Sequence, residues 1–546
     1  MNSATLGIEA LHDMRAERRR HRVADMEWFE ALYRVYLAAL LGGGAIMYLS
    51  DIVTDKPLSG SQLTDLYVHT PHVVGCIAAL AFFIGVRSGA NGGPLAVEEA
   101  EVRHVLMAPI DRGGVLRHPA IQRIRTFMFA GAIAGGVANQ LLGRRIPSAS
   151  AGLPTFAMWG ALAGSIIGAV FVVSALLTHG LSLPRWSATT VGSILLAWQV
   201  AVTGTSSNVS GPFDFIGSIA MWWHHWQPLD LIGVAVVALL TITAMSLTRR
   251  LSLEALARRS SLVSQMKFAV TLQDIRTVVL LRRQLSQEYM RVQPWWKIPS
   301  FLRRDVVVGR GLRSMMHFPV RRLFRMMLLA AAAGAALVVA WHGTTPAIVL
   351  SGLCLFILGL DVVEPLSQEV DQPDRTDALP VERGLLMAKH LIVPSVVVLP
   401  FIVVGVAMAF VLEPHVSTIG YGFLLGVPAA LGGVAGAAIN AVKGAPDPVG
   451  GATESLALPA EVSGMGTVIR AIWPPVVSIV CSAPVLAVRL AHENNTDVTG
   501  TAFRASGAVA IVLALVAGWV RQRDHIHAWF RNAKTATAPQ KISEGS

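Results

Sequence analysis

The sequence predicts an all-α integral membrane protein of about 12 transmembrane helices, arranged as two parallel six-helix repeats. Three observations carry this prediction. The 546 residues are 53% hydrophobic and only 14% charged, with a mean hydropathy of +0.54. Apolar runs recur that approach the ~20 residues a helix needs to cross ~30 Å of hydrocarbon. The third is an internal echo. Pro94-Leu95-Ala96-Val97-Glu98 leads to Pro109-Ile110-Asp111-Arg112-Gly113, and Pro365 and Pro380 follow Pro94 and Pro109 at one common offset of 271 positions. At that offset Leu95 meets Leu366, Glu98 meets Glu369, Arg112 meets Arg383 and Gly113 meets Gly384. An ungapped match over about twenty positions marks an internal duplication.

Taken in order, residues 1–248 form a first six-helix half with a cytoplasmic N-terminus. Residues 249–323 form a basic linker of cytoplasmic and interfacial helices. Residues 324–520 form the second half and 521–546 a cytoplasmic tail. The N-terminal cluster Arg15, Arg18, Arg19, Arg20 and Arg22, followed by Trp28 and Phe29, suits an interfacial helix leading into the membrane. It has no apolar h-region, so no signal peptide is expected. Spans are predicted at 31–50, 71–88, 124–142, 154–178, 188–203 and 229–248, then at 324–342, 346–362, 391–412, 417–442, 466–487 and 503–520.

Charge orients these spans. Segment 249–325 holds seventeen Lys and Arg against the four acids Glu254, Asp274, Glu288 and Asp305. The positive-inside bias places it in the cytoplasm. The tail carries Arg521, Arg523, Arg531, Lys534 and Lys541, whereas 204–228 holds no Lys or Arg and faces out. Only an even number of spans in each half satisfies all of these, which makes the repeat a parallel one. Arg144 and Arg145 then fall outside, against the bias. Both echoing stretches lie in the cytoplasm, between the second and third helix of their half. The localisation that follows is the cell inner or plasma membrane, multi-pass, with both termini cytoplasmic. Within the linker, Leu262, Met266, Val270 and Ile275 recur at helical spacing opposite arginines, and Trp295 and Trp296 read as interfacial anchors. Basic residues dispersed along amphipathic helices point to membrane lipid as the partner, not to nucleic acid.

The echo has a physical reading. Pro94 and Pro365 suit the first turn of a helix, where the missing N–H costs nothing. Glu98 and Glu369 follow in the favourable half of the helix dipole. Pro109 and Pro380 end the element, and Arg112 and Arg383 stand at the return to the membrane. Each unit is thus a short cytoplasmic helix, a bend and a re-entry. Two of them make a pair of pegs for a two-fold partner; the alternative is a pair of ordinary solvated loops.

This layout resembles the permeases of ABC-2 type exporters, actinobacterial ones in particular. The matching text is Glu98-Glu99-Ala100-Glu101-Val102-Arg103-His104-Val105-Leu106-Met107-Ala108-Pro109-Ile110-Asp111-Arg112, its partner ending Ala378-Leu379-Pro380-Val381-Glu382-Arg383, and the run Arg276-Thr277-Val278-Val279-Leu280-Leu281-Arg282-Arg283. The resemblance implies a channel former driven by a separately encoded ABC ATPase in two copies. ATP and Mg would reside on that ATPase, with no cofactor in this chain. It implies ATPase-coupling roles for Pro94, Glu98, Glu99, Pro109, Arg112, Pro365, Glu369, Asp371, Asp374, Asp377, Pro380 and Arg383. Two departures stand out. The family's permeases are usually six-helix dimers, whereas this chain would supply both halves. The two coupling segments also differ in charge. Residues 361–384 hold seven acids against Arg375 and Arg383, while 94–118 hold four against Arg103, Arg112 and Arg117. Two non-equivalent ATPase contacts, or one lopsided contact, follow from this.

No catalytic residue is expected, and no G-x-x-x-x-G-K-[ST] phosphate loop occurs in the sequence. Trp222-Trp223-His224-His225-Trp226 is the conspicuous cluster of the outer loop. Adjacent histidines on a helix point in different directions and chelate poorly, so an aromatic belt is expected and no metal site. Asp214, Trp222, Trp223, His224 and His225 are candidates for an extracellular gate. Cys76, Cys354 and Cys481 sit in apolar runs with neither metal spacing nor a disulfide framework. Polar residues inside the spans are few (Asn139, Gln140, Gln199 and Asn440), with no acid deep in a span, which favours an external energy source over ion coupling. Gly135-Gly136 and Gly432-Gly433 read as close helix packing. The function that results is the permease subunit of an exporter of unknown substrate. The alternatives are a membrane scaffold that recruits a cytoplasmic partner, and a secondary transporter.

Overall fold

The structure is a computed structural model. It describes residues 57–90, 92, 93, 95, 97, 101–108, 111–147, 152–204, 210–261, 290–297, 299, 305–370, 381–443 and 472–537, with 13, 14, 16 and 17. Among these residues every regular element is a helix. They divide into two units between Gln287 and Glu288. The boundary cuts the predicted linker, whose described residues 249–261 belong to the first unit and 290–297, 299 and 305–323 to the second.

The first unit comprises α1 (Gly60–Gly89), α2 (Arg112–Gly143), α3 (Leu153–Gly180), α4 (Arg185–Gly204), the short α5 (Asp214–Ala220) and α6 (Asp230–Ser246). Helix α1 starts eleven residues before the predicted span at 71, because Ser59 and Gln62 form a capping box that nucleates it earlier. Asp111 caps α2 by accepting from the amides of Gly113 and Gly114. Helix α3 is central and packs on α1, α2, α5 and α6. Its contact with α2 is made backbone to backbone. A Cβ added at Gly135 would strike the Gly160 carbonyl, and one at Gly164 would strike that of Gly131. The predicted close packing at Gly135 therefore holds, and small residues are what permit it. One core lies among α1, α3 and α5, around Ala79, Ile166, Ile216 and Ile219. A second joins Leu95, Val97, Val102 and Leu106 to α2, α3 and Leu256.

The second unit comprises α7 (Val306–Met316), α8 (Val320–Trp341), α9 (Ala347–Val362), α10 (Glu364–Val370), α11 (Arg383–Leu412), α12 (Val416–Lys443), α13 (Ile472–Glu493) and α14 (Val498–Thr537). Helix α12 is central here and packs on α9, α10, α11 and α14. Ser478 on α13 donates to the Gly352 carbonyl of α9 at 2.8 Å, which fixes α13 beside α9. Gly433 of α12 lies against the Leu355 backbone of α9, again as the glycine pair predicts. Helix α14 passes the predicted end at 520 and runs to Thr537. No glycine or proline interrupts 521–537, so part of the predicted tail continues this helix.

Nine helices among the described residues are long and apolar enough to cross a membrane, or ten if α9 and α10 count as one span bent by 59°. Ten of the twelve predicted spans fall on these. Segment 188–203 falls on α4, which is helical, but its serines, threonines and Gln199 leave it short of that apolarity. Segment 31–50 lies outside the described residues. Of the span predicted at 466–487, residues 466–471 lie outside the described residues, and the helix runs past 487 to Glu493. Broad faces of α6 and α14 remain apolar and unburied within their units, with Ile242 66% and Leu515 68% exposed. Hydrocarbon, not water, suits such faces. These helices mark a membrane protein.

Candidate functional site

The echoing stretch of the second unit begins at the break between α9 and α10. An ion-pair network closes around that break. Arg322 and Arg325 project from the first turns of α8. Asp361 is in the last turn of α9, and Glu364 is the first residue of α10. Arg325 holds Asp361 in a fork, donating through Nη2 to Oδ1 at 2.8 Å and through Nε to Oδ2 at 3.1 Å. Arg322, 1% exposed, donates through Nη1 to Glu364 and through Nη2 to the Asp361 carbonyl at 2.6 Å. Its guanidinium lies 3.7 Å from the centre of the Phe318 ring. Gln368 donates to Glu364 Oε1 at 3.2 Å. Two cations thus face two anions, and the four charges balance.

Glu369 lies one turn beyond Glu364 on α10 and is buried. Its Oε2 atom is 3.7 Å from Arg310 Nη1 on α7 and 3.7 Å from His390 Nε2 on α11. Pro365, in the first turn of α10, is buried as well, and Leu366 and Val370 join the core with Met326, Val362 and Met387. The short helix is therefore tied to α7, α8, α9 and α11 by charge and by packing. Glu369 points into this junction instead of presenting itself on the surface of a peg. Arg383 opens α11, and its Nε and Nη2 atoms are buried without a hydrogen-bond partner among the described residues. The neighbouring Glu382 meets His525 Nε2 at 3.0 Å. Asp371, Asp374, Asp377 and Pro380 lie outside the described residues.

In the first unit, Pro94, Glu98, Glu99 and Pro109 lie outside the described residues. What surrounds them is ordered by backbone contacts. Arg259 donates to the Gly93 carbonyl and Ser260 to that of Val97. His179 Nδ1 meets the Gly89 carbonyl at 3.2 Å, while its Nε2 accepts from Ser252 N at 3.2 Å. Gly92 and Gly93 take φ of +110° and +76°, which an L side chain rarely adopts. Burial and the neighbouring Arg123 and Arg258 lower the Arg259 pKa to about 10. Arg112 is exposed at the start of α2, and Arg249 Nε stands 3.8 Å from the capping Asp111.

The outer-loop candidates separate into two groups. Asp214 is buried at the start of α5. It meets His72 Nδ1 on α1 at 2.8 Å and accepts from Gln199 Nε2 on α4 at 2.5 Å and from Gly211 N. Gln199 Oε1 accepts in turn from Phe213 N at 3.1 Å. This network locks α5 against α1 and α4. Trp222 donates to Asp230 at 2.9 Å, and Trp223 packs on Phe156. His224 stacks on Tyr67 with ring centres 3.8 Å apart, and both histidines are exposed. Among the described residues no three His, Cys, Asp or Glu side chains come close enough to hold a metal ion.

Sequence reasoning missed Arg310, Arg322, Arg325 and His390 as partners of the acids. The available signal was Asp361, an acid in the last turn of an apolar run, which demands a cation nearby. Comparison with protein-family models, curated proteins and solved structures found no match to this chain.

Proposed function

We propose that the chain is the transmembrane permease subunit of an ABC exporter, coupled to a separately encoded ATPase that carries ATP and Mg. The observation that supports this best is the tethering of α10. A coupling element must be rigidly joined to the spans it moves, and Glu364 and Glu369 join α10 to α7, α8 and α11 through Arg310, Arg322 and His390. On this reading Glu369 is a positioning residue that passes motion from α10 to α7 and α11. Pro365 and Arg383 bracket the same unit, and Asp371, Asp374 and Asp377 supply the ATPase contact.

The twelve-helix, two-repeat arrangement is part of the proposal. Helices α2 and α11 start at Arg112 and Arg383, 271 positions apart, after Asp111 and Glu382. Leu95 and Leu366 are both buried, as are Gly113 and Gly384. In each unit a central helix (α3 or α12) packs on the helix before the echo, on the helix after it and on the last span. This likeness supports two parallel halves with both termini on the basic, cytoplasmic side.

A second reading, a secondary transporter, draws on the buried acids Asp214, Asp361, Glu364 and Glu369, since buried acids in membrane proteins often mark ion pathways. Mild-detergent purification of the tagged chain from its native membrane separates the two. An ATPase that co-purifies and is stimulated by the chain supports the permease. An intact chain without one overturns it in favour of a secondary transporter or a scaffold.

A further inference from the structure

The second unit holds a cavity of about 320 Å³ among α8, α9, α11, α12, α13 and the start of α14. Its wall on α8 runs from Ala330 to Trp341, eleven residues and so about 16 Å along the helix axis. One end is wholly apolar, lined by Ala330, Leu355, Leu358, Phe401 and Ile402. The other end carries Glu413, Ser417, Thr418, Tyr421 and His492. It lies toward the end of α8 opposite Arg322 and Arg325. Small-molecule sites fall in this range of volume and character. Its amphipathic lining matches an amphiphile lying parallel to the helices.

The polar end favours one type of head group. Among the described residues Glu413 is the only acid on the wall. Its Oε2 pairs with His342, while Oε1 stands 3.9 Å from His415 Nδ1, beyond hydrogen-bond reach. An acceptor therefore remains at the mouth, flanked by the hydroxyls of Ser417 and Thr418. We infer that this cavity binds an amphiphile with a hydrogen-bond-donating head group, a long-chain amine or alcohol, its chain along α8 and its head at Glu413. The inference is independent of the permease reading, and its test needs no ATPase.

The probe is dodecylamine with a diazirine at the chain end, added to the full chain in lipid nanodiscs and photolysed. Crosslinks are expected on Leu355, Leu358 and Phe401. Gly426 lines the cavity, and a Cβ there would meet only Ile402 Cγ2 at 3.6 Å, so a side chain can enter without striking backbone. Gly426→Leu should lower labelling about tenfold, and Ala333→Phe should do the same by narrowing the slot from α8. Glu413→Gln should weaken competition by dodecylamine more than by dodecanol, with dodecanoate competing least throughout. Solvent extraction of the purified chain distinguishes the source of the occupant: a resident lipid at one per protein, or a freely exchanging amphiphile. Labels confined to the outward residues Val403, Val411 and Ile511 would mean surface lipid alone and overturn the inference. So would undiminished labelling in both filling variants when each melts at the wild-type temperature.

Discussion

Arg322 on α8 donates to Glu364, the first residue of α10, across the point where the chain bends by 59°. Both side chains are buried. Two charges removed from water are costly to hold, and their geometry must compensate with further hydrogen bonds. Here the Asp361 carbonyl accepts from Arg322 and Gln368 donates to Glu364.

Breaking this pair should cost more than deleting it. Arg322→Met removes the buried cation that faces Glu364 and the Asp361 carbonyl, so a loss of about 3–5 kcal/mol is expected. Arg322→Met with Glu364→Leu should recover much of that. Denaturant unfolding in detergent of both single variants and the double variant gives the coupling, and additive losses would contradict the network.

Glu369→Gln keeps shape and removes charge between Arg310 and His390. We predict that it lowers stimulation of the co-purified ATPase at least severalfold while the chain inserts normally. Wild-type stimulation in an inserted variant would exclude a positioning role for Glu369. Reversing Asp371, Asp374 and Asp377 should weaken ATPase binding more than reversing Glu99 and Glu101, and equal losses would contradict a lopsided contact.

The crossing of α2 and α3 leaves no room for a side chain. Gly164→Ala would set its methyl against the Gly131 carbonyl, and a destabilisation of about 1–3 kcal/mol is expected from the forced separation. Ala at Gly426, which has space, should change the melting temperature little. The contrast between the two checks the packing assignment.

Asp305 caps α7. Hydrogen bonds from the Val308 amide, and then from Val307 and nearby Lys389, hold its carboxyl below the ordinary value against the opposing effect of burial. The folded pKa is thus lower than the unfolded one. The cap's stabilisation is full above the ordinary carboxylate pKa and is lost as pH falls through the lowered folded value. Asp305→Ala should cost about 1 kcal/mol at neutral pH. Asp305→Asn, which still caps, should flatten the acid limb of the stability profile. An unchanged limb would mean that other carboxylates dominate it.

The sequence by itself determined the solvent, most of the spans and the close helix crossings. Apolar length, charge bias and paired glycines act locally, and each is written in consecutive residues. It also determined the short helix at Pro365, because proline in a first turn needs no partner to be legible. Tertiary structure alone decided what the charges do. Arg322 and Arg325 read as two more members of a basic run, and Asp361, Glu364 and Glu369 as members of an acidic one. Only folding brings residues some forty positions apart within 3 Å and removes them from water, where a charge must find a partner. The cavity was equally illegible. Its wall is assembled from six helices, and a void is a property of how faces meet, which no single stretch of sequence encodes.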